Sequence, residues 1–181
     1  VVVTTTGPDF LIAVPAEQVT TDIVDFLLEI GDASLSMLIT AERAAVLNIP
    51  PSDAEVTALK IENSIDPAAI KALADPTVDL DYPLRGPFSV IRSPISRASA
   101  AAVELCKLAK LLPAVVTTTI QNVDDKDAKD IAALHDLMLV TADSIHVFQN
   151  NTSDTLVQVA SARVPLAGSG SAEIVAFRPR D

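Results

Sequence analysis

Tryptophan is absent from this 181-residue chain, which has one cysteine, two histidines and five glycines. A lone thiol, Cys106, excludes an intrachain disulfide and a zinc site built from cysteines. With only His135 and His146 to add to it, no structural metal site is expected. Cys106 sits among Leu105, Leu108 and Ala109, a setting for a buried thiol rather than a nucleophile. Neither G-x-G-x-x-G nor G-x-x-x-x-G-K-[ST] occurs, so the glycine loops that cradle phosphates are missing. Basic residues are also scarce: 13 Lys and Arg stand against 24 Asp and Glu, a net charge of −11. Nucleic-acid binders draw most of their affinity from cations facing phosphates, so no nucleic-acid partner is expected. No apolar run approaches the roughly 18–20 residues that span a bilayer, and no basic-then-apolar segment opens the chain. The expectation is a cytoplasmic protein with no membrane partner.

What is present is apolar. Hydrophobic residues make up 49% of the chain and mean hydropathy is +0.38, enough for a sizeable core. Strand-like runs at Val1–Val3 and Phe10–Val14 flank a turn-like Thr4–Asp9 link. Thr20 is placed to cap a helix over Thr21–Ile30, with Ile23, Phe26, Leu27 and Ile30 at helical spacing and Gly31 at its end. A strand is expected over Leu35–Ile39, and then a helix over Ala41–Leu47, capped by Thr40 and stopped by Pro50-Pro51. A strand over Val56–Ile61 and an Asp66-capped helix to Ala74 follow. After a polar loop over Thr77–Pro87 comes a strand at Phe88–Ile91. Ser96 or Ser99 opens a helix to Leu111, whose stripe is Val103, Leu105, Leu108 and Leu112, and Pro113 ends it. Next come a strand over Ala114–Ile120, a helix over Asp124–His135, a strand over Leu137–Val140 and a helical turn over Ala142–Ile145. The texture changes at Thr155, where two alternating runs around Gly168-Ser169-Gly170-Ser171 read as a β-hairpin. Strands alternating with helices argue for the α/β class. No internal repeat or low-complexity tract is found.

Three stretches carry a family resemblance. The first runs from Ala16-Glu17-Gln18-Val19-Thr20 through Phe26-Leu27 and Gly31 to Leu38-Ile39-Thr40-Ala41-Glu42-Arg43. The second is Ile70-Lys71-Ala72-Leu73-Ala74-Asp75-Pro76, and the third is Ala101 to Leu105 followed by Leu108 to Ala114. In this order and spacing they resemble 3,4-dihydroxy-2-butanone 4-phosphate (DHBP) synthase of riboflavin biosynthesis. The resemblance implies a layered domain of mixed sheet and helices over residues 1–150. It also implies a Mg²⁺-dependent reaction on ribulose 5-phosphate that releases formate.

The positions that would carry this chemistry are changed. The family's acidic Glu-Asn-Glu-Gly-Asp loop corresponds to Thr4-Thr5-Thr6-Gly7-Pro8-Asp9, and its His-Gly-Arg motif to Ile30, Gly31 and Asp32. Its Asp-Arg-Ala helix start reads Asp66-Pro67-Ala68, and its Gly-His-Thr-Glu motif reads Arg97, Ala98, Ser99 and Ala100. A strand glutamate falls at Thr119. A hard cation wants several carboxylates, and alanine cannot transfer a proton. The expectation is therefore a catalytically silent domain with no catalytic residue, metal or cofactor. The remnant candidates for ligand binding are Arg92, Ser96, Arg97 and Ser99, two cations and two hydroxyls at a helix start. The plain alternative is that the serines cap the helix and the arginines are solvated.

The tail, Val159–Leu166 and Glu173–Arg178, resembles the opening strands of GTP cyclohydrolase II. It implies a linker and the start of a second domain over residues 151–181. The start at Val1 and the charged end Arg178-Pro179-Arg180-Asp181 give the expectation that both ends are cut from something longer. The function expected is a structural, homodimerising part of a GTP cyclohydrolase II-type protein, with that second domain covalently attached. Two other readings stay open: a module that senses a phosphate-bearing metabolite, and a residual synthase.

Overall fold

The computed structural model describes residues 2–6, 9–32, 34–50, 54–62, 64–82, 86–120, 125–166 and 170–179. The chain divides into two compact units, Val1–Ile145 and His146–Asp181. The first begins with β1 (Val2–Thr6), β2 (Asp9–Pro15), α1 (Thr21–Ile30), β3 (Leu35–Thr40) and α2 (Ala41–Val46). It continues with β4 (Val56–Ile61), α3 (Pro67–Ala74), β5 (Ser89–Ile91), α4 (Arg97–Leu108) and β6 (Ala114–Thr119). It closes with α5 (Asp125–Leu134), β7 (Met138–Thr141) and the start of α6 (Ala142–Asp154). The strands form one sheet in the order β5-β4-β3-β6-β2-β1-β7, in which β1 and β7 run parallel and all other neighbours antiparallel.

Strands β2, β3, β4 and β6 are buried on both faces, which is why their sequences are near-continuous apolar runs. The two-residue pleat sends alternate side chains to opposite layers. Phe10, Ile12, Val14, Leu35, Met37, Ile39, Leu59 and Val116 join Val24 and Leu27 of α1 and Ile70 of α3 in the larger core. Leu11, Ala13, Leu38, Ala58 and Val115 face the other way, against Ala98, Ala102, Val103 and Cys106 of α4. The small residues let α4 lie close to the sheet.

Several local expectations hold to the residue. Thr20 Oγ1 accepts the Ile23 N–H (3.4 Å), Thr40 Oγ1 the Arg43 N–H (3.2 Å) and Asp66 Oδ1 the Ala68 N–H (2.8 Å). Others change. The Thr4–Asp9 link is mostly strand, because β1 and β2 pair antiparallel with Thr6 opposite Asp9. Helix α2 ends before the prolines, at Asn48 with φ 57°. Helix α4 likewise ends ahead of Pro113, at Lys110 with φ 57°. Its buried stripe is Ala98, Ala102, Val103 and Cys106, leaving Leu105 and Leu108 half-buried. The helical turn expected at Ala142–Ile145 is the first turn of the much longer α6. No helix among the described residues is long and apolar enough to cross a membrane.

The second unit holds the remainder of α6 and the antiparallel pair β8 (Leu156–Leu166) and β9 (Gly170–Pro179). The register shifts between Gln158 and Ala160, a bulge that changes which face each β8 residue takes.

Arg43, which the sequence marks only as the third residue of a helix, ties the first unit together. It is 9% exposed and its fork pairs bidentately with Asp79, Nη1 to Oδ2 at 2.6 Å and Nη2 to Oδ1 at 2.7 Å. Its Nε donates to the Leu73 carbonyl (2.7 Å) and its Nη2 to the carbonyls of Ala72 and Asp75 (3.3 Å each). A side chain from α2 thereby hydrogen-bonds the carbonyls at the end of α3. Arg43→Ala is expected to cost about 3–5 kcal/mol, because it removes the guanidinium that a carboxylate and three carbonyls share. Urea denaturation of the two proteins measures the difference.

Candidate functional site

Where the α4 face of the sheet is not covered, a cavity of about 510 Å³ opens beside the N-terminus of α4. Ser36 and Leu38 of β3, Leu11 of β2, Ala58 of β4, and Thr117 and Thr119 of β6 line it from the sheet. Ser93, Pro94, Ile95, Ser96 and Ser99 line it from the α4 approach. The register puts Ser36 opposite Thr117 and Leu11 opposite Thr119, so these groups share one floor. The described lining has six hydroxyl side chains (Ser36, Ser93, Ser96, Ser99, Thr117 and Thr119) and no carboxylate, imidazole, amine or guanidinium.

The four remnant candidates are only partly brought together. Ser96 is the N-cap of α4, its Oγ accepting the Ser99 N–H at 3.1 Å and lying 3.1 Å from Ser99 Oγ. Both residues line the cavity. Arg97 is exposed and its Nη2 pairs with Asp143 Oδ1 at 2.5 Å, outside the cavity lining. Arg92 lines a neighbouring cavity of about 450 Å³ with Pro50, Val56, Thr57 and Val90. The two cavities share the wall formed by Ala58, Ile91, Ser93, Pro94 and Ile95.

Sequence reasoning missed the floor. Nothing local marks Ser36 or Thr117, and only the even spacing of Thr117 and Thr119 on one strand signals that they share a face. Asp32 and Thr119, each at a changed position, meet: Thr119 Oγ1 donates to Asp32 Oδ2 at 3.2 Å, and the Asp32 N–H donates to the Thr119 carbonyl at 3.0 Å. Gly31 permits this approach, since a Cβ there would overlap the Thr118 side chain. Thr118 is itself pinned by a 3.1 Å hydrogen bond to the Ser34 carbonyl.

The remaining chemically active residues lie elsewhere. Cys106 is buried, and burial pushes its thiol up to about 11, with the Glu17 carboxylate adding to the shift. His135 is exposed and meets the ring of Phe26 edge-on at 5.4 Å. His146, in the second unit, is exposed with Nε2 3.2 Å from Asn150 Nδ2. Of the acidic run Asp124–Asp127, Asp124 lies outside the described residues. No cluster of three His, Cys, Asp or Glu able to hold a metal occurs among the described residues.

Comparison with solved structures matches this arrangement to one fold. The crystal structure of RibBX, a two-domain DHBP synthase from A. baumannii, superposes with TM-score 0.62 at 17% identity, covering 98% of this chain and 62% of that one. A DHBP synthase in complex with two magnesium ions gives TM-score 0.63 at 22% identity over 84% of this chain and 91% of its own. The chain has a DHBP synthase-like fold. Its sequence is also 37% identical over 171 residues to a GTP cyclohydrolase-2 of Azospirillum brasilense, 93% of this chain. The chain spans 44% of the length of that relative. No protein-family model matches the chain.

The magnesium of that synthase structure does not fit the cavity in this DHBP synthase-like domain. Mg²⁺ is held by carboxylates in near-octahedral geometry, and the described lining offers neutral hydroxyls alone.

Two outcomes are expected from these placements. Gly31→Ala should destabilise the domain by about 1–3 kcal/mol through overpacking against Thr118, read from its denaturation midpoint. Cys106 should resist a thiol reagent at neutral pH in the folded chain and react at once in denaturant. Because its folded value lies above that of a free thiol, near 8.5, the unfolded chain loses this proton first. Its contribution to stability is whole below about pH 8.5 and is lost as pH rises through about 11.

Proposed function

We propose that this chain is a catalytically silent DHBP synthase-like domain associated with riboflavin biosynthesis. In this reading it serves as a structural, dimerising front part of a cytoplasmic GTP cyclohydrolase II-type protein. The observation that carries the silence is the cavity lining: where a synthase needs acids for its metal and a group to move protons, the described residues supply Ser, Thr and apolar side chains. A serine or threonine hydroxyl neither ionises near neutrality nor replaces an anionic metal ligand. Arg97, at the first place of the motif that ends in glutamate in the family, is occupied by Asp143 on the surface.

The attachment to a cyclohydrolase is supported by the 37% identity, which runs through 93% of this chain. In this reading residues 151–181 are the linker and first strands of the attached domain. Their hairpin carries Leu156, Val159, Ile174 and Phe177 exposed, more apolar surface than a lone two-stranded ribbon sustains. In this reading Val46, Leu80, Tyr82, Leu134 and Met138 of the first unit are exposed apolar side chains that a dimer contact would cover. Ser96 and Ser99 remain as the ligand-binding remnant, without the two arginines beside them in the cavity.

The purified chain, incubated with ribulose 5-phosphate and Mg²⁺, is expected to release no formate above a protein-free control. Circular dichroism on the same sample confirms that the chain is folded. Formate at enzymatic rates would overturn the silent reading.

A further inference from the structure

The ribbon of the second unit has two unlike faces. Residues directly opposed across β8 and β9 project to the same face. Ala160 stands opposite Ala176, Ala162 opposite Ile174 and Val164 opposite Ala172; past the shift in register, Val157 stands opposite Arg178 on that same face. Arg178, at its end, is the one polar side chain of this face among the described residues. The other face holds Gln158, Ser161, Arg163, Ser171 and Glu173 together with Val175 and Phe177, and sets Arg163 directly opposite Glu173. Strands that alternate in this way bury one face and give the other to water. Yet Ala160, Ala162, Ile174 and Ala176 are exposed, Ile174 by 60%. The face made for burial is uncovered.

Area decides between two occupants. Two strands of ten or eleven residues offer a face of about 350 Å², against roughly 800 Å² per partner in a stable complex. A second copy laid on this ribbon alone would therefore bind weakly. A domain joined covalently needs no such area, because a short linker holds it at an effective concentration on the order of millimolar. The 37% identity to a GTP cyclohydrolase-2 runs through 93% of this chain, and more than half of that relative lies outside the match. We propose that the face of Ala160, Ala162, Ile174 and Ala176 is where apolar side chains of an attached cyclohydrolase-type domain pack, while the face of Ser161, Arg163 and Glu173 stays in water. The small alanines let that domain approach the ribbon backbone closely. This rests on the reading that such a domain is attached.

Thiol labelling with iodoacetamide reads which face is covered, and the native Cys106 is buried and adds little background. Ala162→Cys reports on the apolar face and Ser161→Cys, its neighbour on β8, on the other. Each is made in the full chain alone and in a chimaera where this chain replaces the matching front of the Azospirillum brasilense relative. In the chain alone both cysteines are expected to label at similar rates. In the chimaera Ala162→Cys should label at least about tenfold more slowly, protected except during local opening, and Ser161→Cys at its former rate. Ala176→Cys takes the place of Ala162→Cys if that variant fails to fold. Protection of Ala162→Cys in the chain alone would overturn the proposal, since something other than the attached domain would then cover the face. Equal labelling of the two cysteines in a chimaera that turns over GTP would overturn the docking face alone. A chimaera that neither folds nor turns over GTP would overturn the attachment and the docking face with it.

Discussion

Strand β6 sets the terms for the first unit. It lies between β3 and β2 in the sheet, and residues 114–118 are buried. A strand in that position has to satisfy its N–H and C=O groups by ladder pairing on both sides, since no water reaches them. Pairing with Leu11–Pro15 on one side and Ser36–Ile39 on the other does so. With the ladder set, the pleat decides the rest. Val116 enters the larger core, Val115 meets α4, and Thr117 and Thr119 fall on the α4 side where the cavity opens. A slip of one residue would exchange these faces and put hydroxyls into the apolar core.

The helices complete this frame by unequal means. Helix α4 covers its side of the sheet with alanines, a valine and a thiol, so contact is close and the helix axis has little freedom to shift. Its N-terminus stops at Ser96, beside the floor hydroxyls, and that stop places one edge of the cavity. On the opposite face, α2 and α3 are held by polar geometry as well as by packing. Arg43 spans them and directs its donors to Asp79 and to carbonyls at the end of α3. The segment after α3 is thus anchored through Asp79, while Leu80 and Tyr82 beyond it remain exposed.

Local rules were legible where a short stretch decides its own geometry. Thr20, Thr40, Asp66 and Ser96 announce helix starts because a cap needs only a side-chain oxygen two or three residues ahead of an N–H. Strand β4 could be read over Val56–Ile61 from its β-branched and apolar run. Helix ends were less legible. Proline is the stop the sequence offers after α2 and α4, while Asn48 and Lys110 turn the chain earlier, at positive φ. Asn favours that conformation and Lys does not, and in both places the chain closes the helix locally, Ile49 N–H donating to the Ala44 carbonyl and Leu111 N–H to the Cys106 carbonyl. The buried stripe of α4 is set by tertiary contact. Leu105 and Leu108 are the larger side chains, yet the close approach to the sheet favours the small ones.

The sequence by itself determined the α/β class, most element positions, the buried state of Cys106 and the replacement of acids and histidine at the resembling positions. These depend on composition, period and residue identity, which are local properties. Only the tertiary structure decided that Arg97 is paired with Asp143, that Arg92 lines a different cavity from Ser96 and Ser99, and that Thr119 meets Asp32. Those partners lie 46 and 87 residues apart along the chain, and their meeting follows from strand order and register across a sheet. Spacing along a single strand or helix does not encode that order, because it is set by how the two faces of the whole sheet are buried.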